Sequence, residues 1–395
     1  MKAEDQVKLK SQFLEFLHGN YPGIALHDDM IAPYMLSPFQ IDLPATVLQK
    51  VQRFVKAVFQ ARTTEGWKNH YQTQIAEKGL SDPGNYGIMM SYDFHLDGNQ
   101  NPKLIEINTN ASFLALGSEF YRMLNIQHCN PNFSLSSLID CIQEEKRLFD
   151  LKKNQTHTPV KKLCIIDEKP SEQKLFSEFL LYQSFFRQHG LSCEIADLNE
   201  IEKIQSSDLI YNRCTDFYFT DEKNRHLRDL YLTQTKCFSP HPTEYFHLAD
   251  KKRLEEWTDQ KDDFFQQLPQ WREDVIPFLL TSHDLKVENA AQLWEQRKHL
   301  FFKPRNAFGA KQSYKGASIS RTLYESLVTQ GLIAQELCPA PQVTRETDQG
   351  PQEFKYDLRF YVYRDEVQLC IARIYQGQVT NMRTEMGGFA PVQFQ

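Results

Sequence analysis

The stretch YGIMMSYDFHLDGNQNPKLIEIN, residues 86–108, decides how the rest of the chain is read. Its two ends are apolar and its middle, HLDGNQNP, is turn chemistry, so it predicts a β-hairpin. Pairing symmetric about Asn99 and Gln100 sets Asp93 opposite Glu106 and Ser91 opposite Asn108. Strand alternation then puts Asp93, Glu106 and Asn108 on one face, within side-chain reach of one another. A slip of one residue breaks the cluster. Two carboxylates facing each other repel unless a cation, a proton or a basic partner lies between them. Hard divalent cations take oxygen ligands, and Mg²⁺ is commonly held by one or two carboxylates together with substrate phosphates. An E-x-N spacing is common on half-buried strands, so its meaning rests on what the remaining sequence supplies.

The chain has 395 residues, 41% of them apolar and 24% charged, with a formal net charge of -6. That length allows two or three domains. The negative balance argues against a nucleic-acid-binding surface. The start, MKAEDQVKLKSQFLEF, has no apolar core of a secretory signal, and no run is long and apolar enough for a membrane span. The eight cysteines are scattered, none in C-x-x-C, several within apolar runs such as KLCIID and QLCIAR. They read as reduced core thiols of a cytoplasmic protein. Oligomeric state is not legible.

Residues 1–80 read as helices, with Val47, Val51, Phe54, Val55, Val58 and Phe59 at helical spacing after Pro44. Residues 81–150 hold the hairpin and a helical segment. A linker, LKKNQTHTPV, leads to an α/β unit over 160–245, built from KLCIID, a helix over Phe176 to His189, SCEIADL and DLIYNR. A last unit, 246–395, carries FFKP, LIAQEL, KYDLRFYVY and VQLCIARIY.

Four further patterns are chemically suggestive. FFKPRNAFGAKQSYKG (301–316) ends a strand at Lys303 and follows it with Gly309, Lys311 and Lys315, a loop suited to an anion but without Walker A spacing. LIAQELCPAP (332–341) runs from a strand into Gln335-Glu336-Leu337, an apolar slot edged by backbone that suits a flat base. In KYDLRFYVYRDEVQLCIAR, two alternating strands flank the turn around Arg364–Glu366, and their pairing is expected to bring Arg359 and Arg373 together on one face, where they repel unless an anion lies between them. Asn381, Gly387 and Gly388 follow in a turn-rich segment where backbone can approach a ligand. Arg213, after the strand DLIYNR, stands where it can hold a substrate carboxylate or pair with Asp216.

In this order, Lys-Pro with a glycine loop, Q-E hinge, D-x-R, a second Arg, N…GG and D-x12-E-x-N resemble the landmarks of the ATP-grasp carboxylate–amine ligases. The segment SPHPTEYFHLADKKRLEEW is similar to the one that carries their first ATP-binding lysine, here Lys251 or Lys252. Such chains ordinarily end on D…E-x-N; here it comes first, which resembles the circular permutation of eukaryotic-type glutathione synthetase. The implied fold is α/β (α+β): a permuted ATP-grasp with a pre-ATP-grasp α/β domain and an N-terminal helical region.

The resemblance implies the site as well. Lys252, Lys303, Gly309, Lys311 and Asn381 are expected at ATP, Gln335, Glu336 and Leu337 at adenine, and Arg359 and Arg373 at the transferring phosphoryl group. Glu106 and Asn108 are expected to hold Mg²⁺. The glycine loop lacks the glutamate that glutathione synthetases place before it, so Asp93 is expected as the further metal ligand. Ser112, Arg213, Gly387 and Gly388 are expected at a small-molecule or peptide carboxylate and its amine partner. Ser91 stands where many such ligases carry arginine, and the substrate-reading residues of glutathione synthesis do not transfer. A phosphotransferase and a non-catalytic ATP-binding protein are the alternative readings on this fold.

Overall fold

Apolar positions that recur with strand or helix periodicity form three sheets and the helices that cover them. The computed structural model describes residues 3–259, 263–305 and 313–395. The chain opens with α1 (Ala3–Asn20), a short strand β1 (Ile41–Leu43), α2 (Ala45–Thr63) and α3 (Glu65–Glu77). The hairpin follows as β2 (Met90–Leu96) and β3 (Pro102–Asn108), then α4 (Leu114–Leu124) and α5 (Ser137–Lys152). Next come β4 (Lys162–Asp167), α6 (Phe176–Gln188), β5 (Ser192–Asp197), β6 (Leu209–Asn212) and β7 (Cys237–Ser239). They form a parallel sheet in the order β5-β4-β6-β7. β8 (Ser282–Asp284), β9 (Leu300–Pro304), β10 (Tyr314–Lys315) and β11 (Leu332–Glu336) make a small antiparallel sheet. β12 (Gln342–Thr347), β13 (Gly350–Tyr363), β14 (Glu366–Tyr375) and β15 (Gly388–Phe394) complete a seven-stranded sheet in the order β1-β15-β14-β13-β2-β3, with β12 beside β13.

The hairpin pairs Asp93 with Glu106 and Ser91 with Asn108, as the symmetric reading expects. Nearer the turn the ladder runs one residue out, Phe94 with Leu104, and a bulge at Ile105 absorbs the difference. Such bulges re-aim the groups beside them. On its other edge β2 pairs with β13, Asp93 opposite Arg359, so the early hairpin and the late strands share one ladder.

Two expectations change. Residues 1–80 are not helices alone: β1 runs parallel to the last strand, Ile41 beside Val392. Three residues ahead of a proline are too few to display an alternation. The turn between β13 and β14 is also tighter than expected, Tyr363 pairing with Glu366, with an irregularity at Tyr361/Val362. Together the turn and the irregularity give the pairing a three-residue turn would give, so Arg373 lies opposite Asp357 rather than Arg359, and Arg359 opposite Ile371.

The large sheet has two unlike faces. Tyr92, Phe94, Leu358, Phe360 and Ala372 share a buried cluster with Val47, Val51, Phe54, Val55 and Val58 of α2. Each such large buried side chain contributes roughly 1.5–3 kcal/mol. The opposite face is divided. Tyr361, Leu369, Ile371 and Phe389 lie in the cluster that includes Leu114, Leu116 and Phe120 of α4. Further along the same strands, that face carries Asp357, Arg359 and Arg373, beside Asp93, Glu106 and Asn108. No helix among the described residues is long and apolar enough to cross a membrane.

Candidate nucleotide and metal site

The charged half of that face floors a cavity of about 550 Å³, roofed by the small antiparallel sheet. Among the described residues, Lys251, Lys303, Lys315, Lys355, Arg359 and Arg373 line it, against the carboxylates of Glu106, Glu336 and Asp357. Early and late parts of the chain thus meet at one cleft.

Asp93 does not line it. The side chain is 1% exposed, and its oxygens accept from Arg359 Nε (2.9 Å) and Nη2 (2.7 Å) and from Arg373 Nη2 (2.8 Å). Ser91 Oγ adds a contact at 3.2 Å and Asn108 Nδ2 one at 3.3 Å. A carboxylate has about four lone-pair positions, and here they are filled. Burial opposes its ionisation, but Arg359 and Arg373 outweigh burial and hold its pKa down at about 2. The anion that two neighbouring arginines require is therefore supplied by the protein. The expectation of Asp93 as an open metal ligand gives way to a carboxylate clamped by two guanidinium groups.

Glu106 and Asn108 stand differently. Glu106 is 29% exposed, with Lys251 Nζ at 4.0 Å and Asn108 Nδ2 at 3.5 Å. Burial again works against its charge, and Lys251 and Lys303 overcome it, so the carboxyl stays ionised below its ordinary range. Its oxygens and the carboxamide of Asn108 border the cavity. Oxygen ligands of this kind fit a hard cation that phosphate oxygens also hold. Among the described residues no group of three His, Cys, Asp or Glu side chains is arranged to hold a metal by itself.

Lys303, at the end of β9, donates to Gln335 Oε1 (2.8 Å) and to the carbonyl of Ile105 (3.0 Å). The bulge thus turns a backbone acceptor toward the cleft. Desolvation lowers the Lys303 pKa to about 8, with Glu106 pulling it up and Lys251 pushing it down. Lys251, not Lys252, borders the cavity. Successive residues on a helix point about 100° apart, and Lys252 faces outward at 38% exposure, 3.4 Å from Glu256. Gln335, Glu336 and Leu337 all line the cleft. Gln335 is spent on Lys303, and the Glu336 and Leu337 amides donate to Thr281 O and His299 O, both at 2.8 Å. The next backbone donor along the hinge is the amide of Cys338.

Other expected residues serve the fold. Asn381 borders the cavity, yet its amide ties its own loop: Nδ2 donates to Gln376 O (2.8 Å) and Val379 O (3.2 Å), and Oδ1 accepts from Arg383 N and Thr384 Oγ1, both 3.0 Å. Gly387 and Gly388 do not line the cleft. A Cβ on Gly387 would meet Ile374 O at 2.6 Å, and one on Gly388, whose φ is +110, would meet Tyr34 O at 2.5 Å. Their lack of a side chain admits neighbouring backbone, not a ligand. Arg213 pairs with the carbonyl of Asn110 and the hydroxyl of Ser112, not with Asp216, whose carboxylate is taken up by Thr220, Asp221 and Asn224. Arg213 and Ser112 thereby brace the loop between β3 and α4, apart from the cavity wall. Glu178 of α6 accepts from the amides of Phe113 (2.7 Å) and Ala115 (3.0 Å), supplying the cap that α4 lacks. Gly309 and Lys311 fall outside the described residues.

Sequence reasoning took Asp357 only as part of D-x-R, without a role, and missed Lys355. Alternation in KYDLR places both on the face of Arg359. Asp357 accepts from Arg373 Nε (2.6 Å) and from Thr380 Oγ1.

No family model matches the sequence, and no curated protein does either. Solved structures do. A glutathione synthetase-like effector from Globodera pallida, in its apo form, superposes over 100% of this chain and 97% of its own, with TM-score 0.54 and 10% identity. This chain has the ATP-grasp fold. A Methylobacillus flagellatus protein assigned as a γ-glutamylcysteine synthetase covers 86% of this chain with 84% of its own, at TM-score 0.45 and 12% identity. D-cycloserine synthetase DcsG covers 50% with 67% of its own, at TM-score 0.33 and 10% identity. Within the ATP-grasp fold the cleft described above lies between the large sheet and the small one.

Proposed function

We propose that this chain is an ATP-dependent carboxylate–amine ligase, and that its strand order reflects a circular permutation of the fold. One observation carries the reading: Glu106 and Asn108, from the early hairpin, face the same cleft as Lys251, Lys303, Arg359 and Arg373, from residue 251 onward. In this reading the hinge around Glu336 and Leu337 takes adenine, and Lys251 and Lys303 take the phosphates. Glu106 and Asn108 would hold a Mg²⁺ ion there, and that ion would supply charge neutralisation at the triphosphate. Arg359 and Arg373, fixed by Asp93, sit against the phosphoryl group as it passes to the substrate carboxylate. That transfer forms an acyl phosphate and ADP, and an amine then displaces phosphate to give an amide or peptide bond. The chain needs no nucleophile of its own; its residues position the reactants and offset charge.

Incubation with ATP and a panel of amino acids and short peptides tests this. The expected products are ADP and phosphate, with hydroxylamine trapping an acyl hydroxamate. AMP release would overturn the acyl-phosphate step. The clamped state of Asp93 favours one second reading, a protein that binds ATP without turning it over. Calorimetric binding of ATP with no ADP formed on any substrate would select it.

A further inference from the structure

Lys251 stands just before the helix Lys252–Thr258 and just after a buried turn, Tyr245–Ala249, closed by Asp250 N donating to Tyr245 O. Such π-helical turns recur at functional sites. Asp250, 4% exposed, holds the backbone on the far side of the lysine. Its Oδ1 accepts from the amide of Lys252 (3.0 Å) and its carbonyl from that of Arg253 (2.8 Å). Its other carboxylate oxygen accepts from the hydroxyl of Tyr218 at 2.5 Å. Tyr218 comes from the loop after β6, in the parallel-sheet unit. Phe217 beside it stacks on Tyr245, ring centroids 4.1 Å apart. Tyr218 meets Tyr245 edge-on at 5.2 Å, and Lys78 Nζ lies 4.5 Å from its ring. Burial and the Asp250 carboxylate both push the phenol's pKa up, so it remains a donor. The same loop begins at Arg213, which grips the Asn110 carbonyl and the Ser112 hydroxyl just beyond Asn108. One loop thus touches the segments that carry Asn108 and Lys251.

We propose that Tyr218 is a positioning residue for Lys251: its hydrogen bond to Asp250 fixes the backbone that aims the lysine into the cleft. This rests on the reading of the cleft as a nucleotide site. An aspartate that accepts at one oxygen can still rotate about its Cα–Cβ bond, whereas donors at both oxygens hold it in one rotamer. A fixed aspartate fixes the amide of Lys252, and so the direction in which the preceding side chain leaves the backbone. The long lysine side chain has many rotamers, so its ammonium meets a phosphate in one place only where its backbone is held. In this arrangement Lys251 Nζ lies 4.0 Å from Glu106 Oε2.

The test uses the whole chain with Mg²⁺ and a nonhydrolysable ATP analogue, titrated calorimetrically against the parent, Tyr218→Phe, Lys251→Gln and the double variant. Tyr218→Phe removes the hydroxyl and keeps the ring contacts. It should weaken binding of the analogue about tenfold, but by less than about twofold in the Lys251→Gln background. Equal weakening in both backgrounds would overturn the proposal, because a residue that merely supports the fold does not act through the lysine. No weakening in the parent background would overturn it too. A second measurement needs no nucleotide, and it decides alone where Lys251→Gln abolishes measurable binding. After brief acetylation, site-resolved mass spectrometry should find Lys251 reacting several-fold faster in Tyr218→Phe than in the parent, with Lys303 unchanged. Identical Lys251 rates, or a matching rise at Lys303 from general loosening, would overturn the proposal. Failure of the parent to bind the analogue at all would instead remove the nucleotide reading on which it rests.

Discussion

The hairpin β2–β3 and the segment 376–388 look alike as sequence. Both put polar and small residues at the ends of strands, and both read as ligand-facing. In the hairpin the ladder satisfies the backbone, so the side chains of Glu106 and Asn108 are left for the cleft. The segment 376–388 has no ladder of its own between β14 and β15, and its backbone groups still require partners. Asn381 supplies them, with three hydrogen bonds to the loop's backbone and a fourth to the Thr384 hydroxyl. A polar side chain on a paired strand is available to a ligand, whereas one in a turn is claimed first by the turn. Asp93 marks the boundary of that rule, since it sits on a strand and is claimed by two arginines from neighbouring strands.

The contrast is broken most severely at Asp93. Asp93→Asn leaves Arg359 and Arg373 buried against a neutral amide, and losing one partner of a buried ion pair costs about 3–5 kcal/mol. The midpoint of denaturant unfolding should fall accordingly, with or without Mg²⁺. A variant as stable as the parent, deficient only in metal affinity, would return Asp93 to the role of metal ligand. Glu106→Ala should behave in the opposite way. The side chain is 29% exposed and takes no close hydrogen bond, so stability should hold within about 0.5 kcal/mol. The rate of ADP release should drop by about 10²–10³. Unchanged turnover would dismiss Glu106 from the site.

What could be read before the structure follows the same division. Alternation and turn chemistry placed Asp93, Glu106 and Asn108 on one face, because a strand's period of two constrains side chains from sequence alone. The register survived although the loop end runs one residue out, since the bulge at Ile105 lies between the turn and the cluster. No sequence signal announces such a bulge. The pairing of β13 with β14 was legible only as far as the face: Arg373 shares that of Arg359 but stands opposite Asp357. The choice between Lys251 and Lys252 depends on the helix that begins at Lys252, and adjacent residues at a helix start carry no mark of which way each will face. Gly387 and Gly388 are needed for contacts with Ile374 and Tyr34, partners far away in sequence. Glycine in a sequence reports a close approach without naming what approaches.

A smaller change sharpens the comparison from the loop side. Asn381→Ala removes the hydrogen bonds that close the turn and should lower stability by about 1–2 kcal/mol. If its role is confined to the loop, the metal count at the nucleotide stays the same, and affinity for ATP shifts only a few-fold. A thermal melt and a calorimetric titration on the same variant separate the two. Loss of the bound metal with an unchanged melt would make Asn381 a ligand after all.

The smallest expected effect concerns Lys303, whose ammonium is taken out of water by burial and faces Glu106, Asp93 and Lys251. With its pKa lowered to about 8 from 10.5, the folded chain holds fewer protons than the unfolded chain between those values. Its contribution is therefore unfavourable to folding at low pH, and that penalty is relieved as pH rises through this window. Nucleotide binding runs the other way. A polyphosphate beside Nζ favours the charged lysine, so binding near pH 8 should take up protons, and affinity should weaken as pH rises further, by less than tenfold per unit. Calorimetry at pH 8 in buffers of differing ionisation enthalpy reads the proton count directly. Lys303→Met should abolish the uptake. An affinity that stays flat from pH 7 to about 9.5 in the parent would show that the bound phosphates do not reach this lysine.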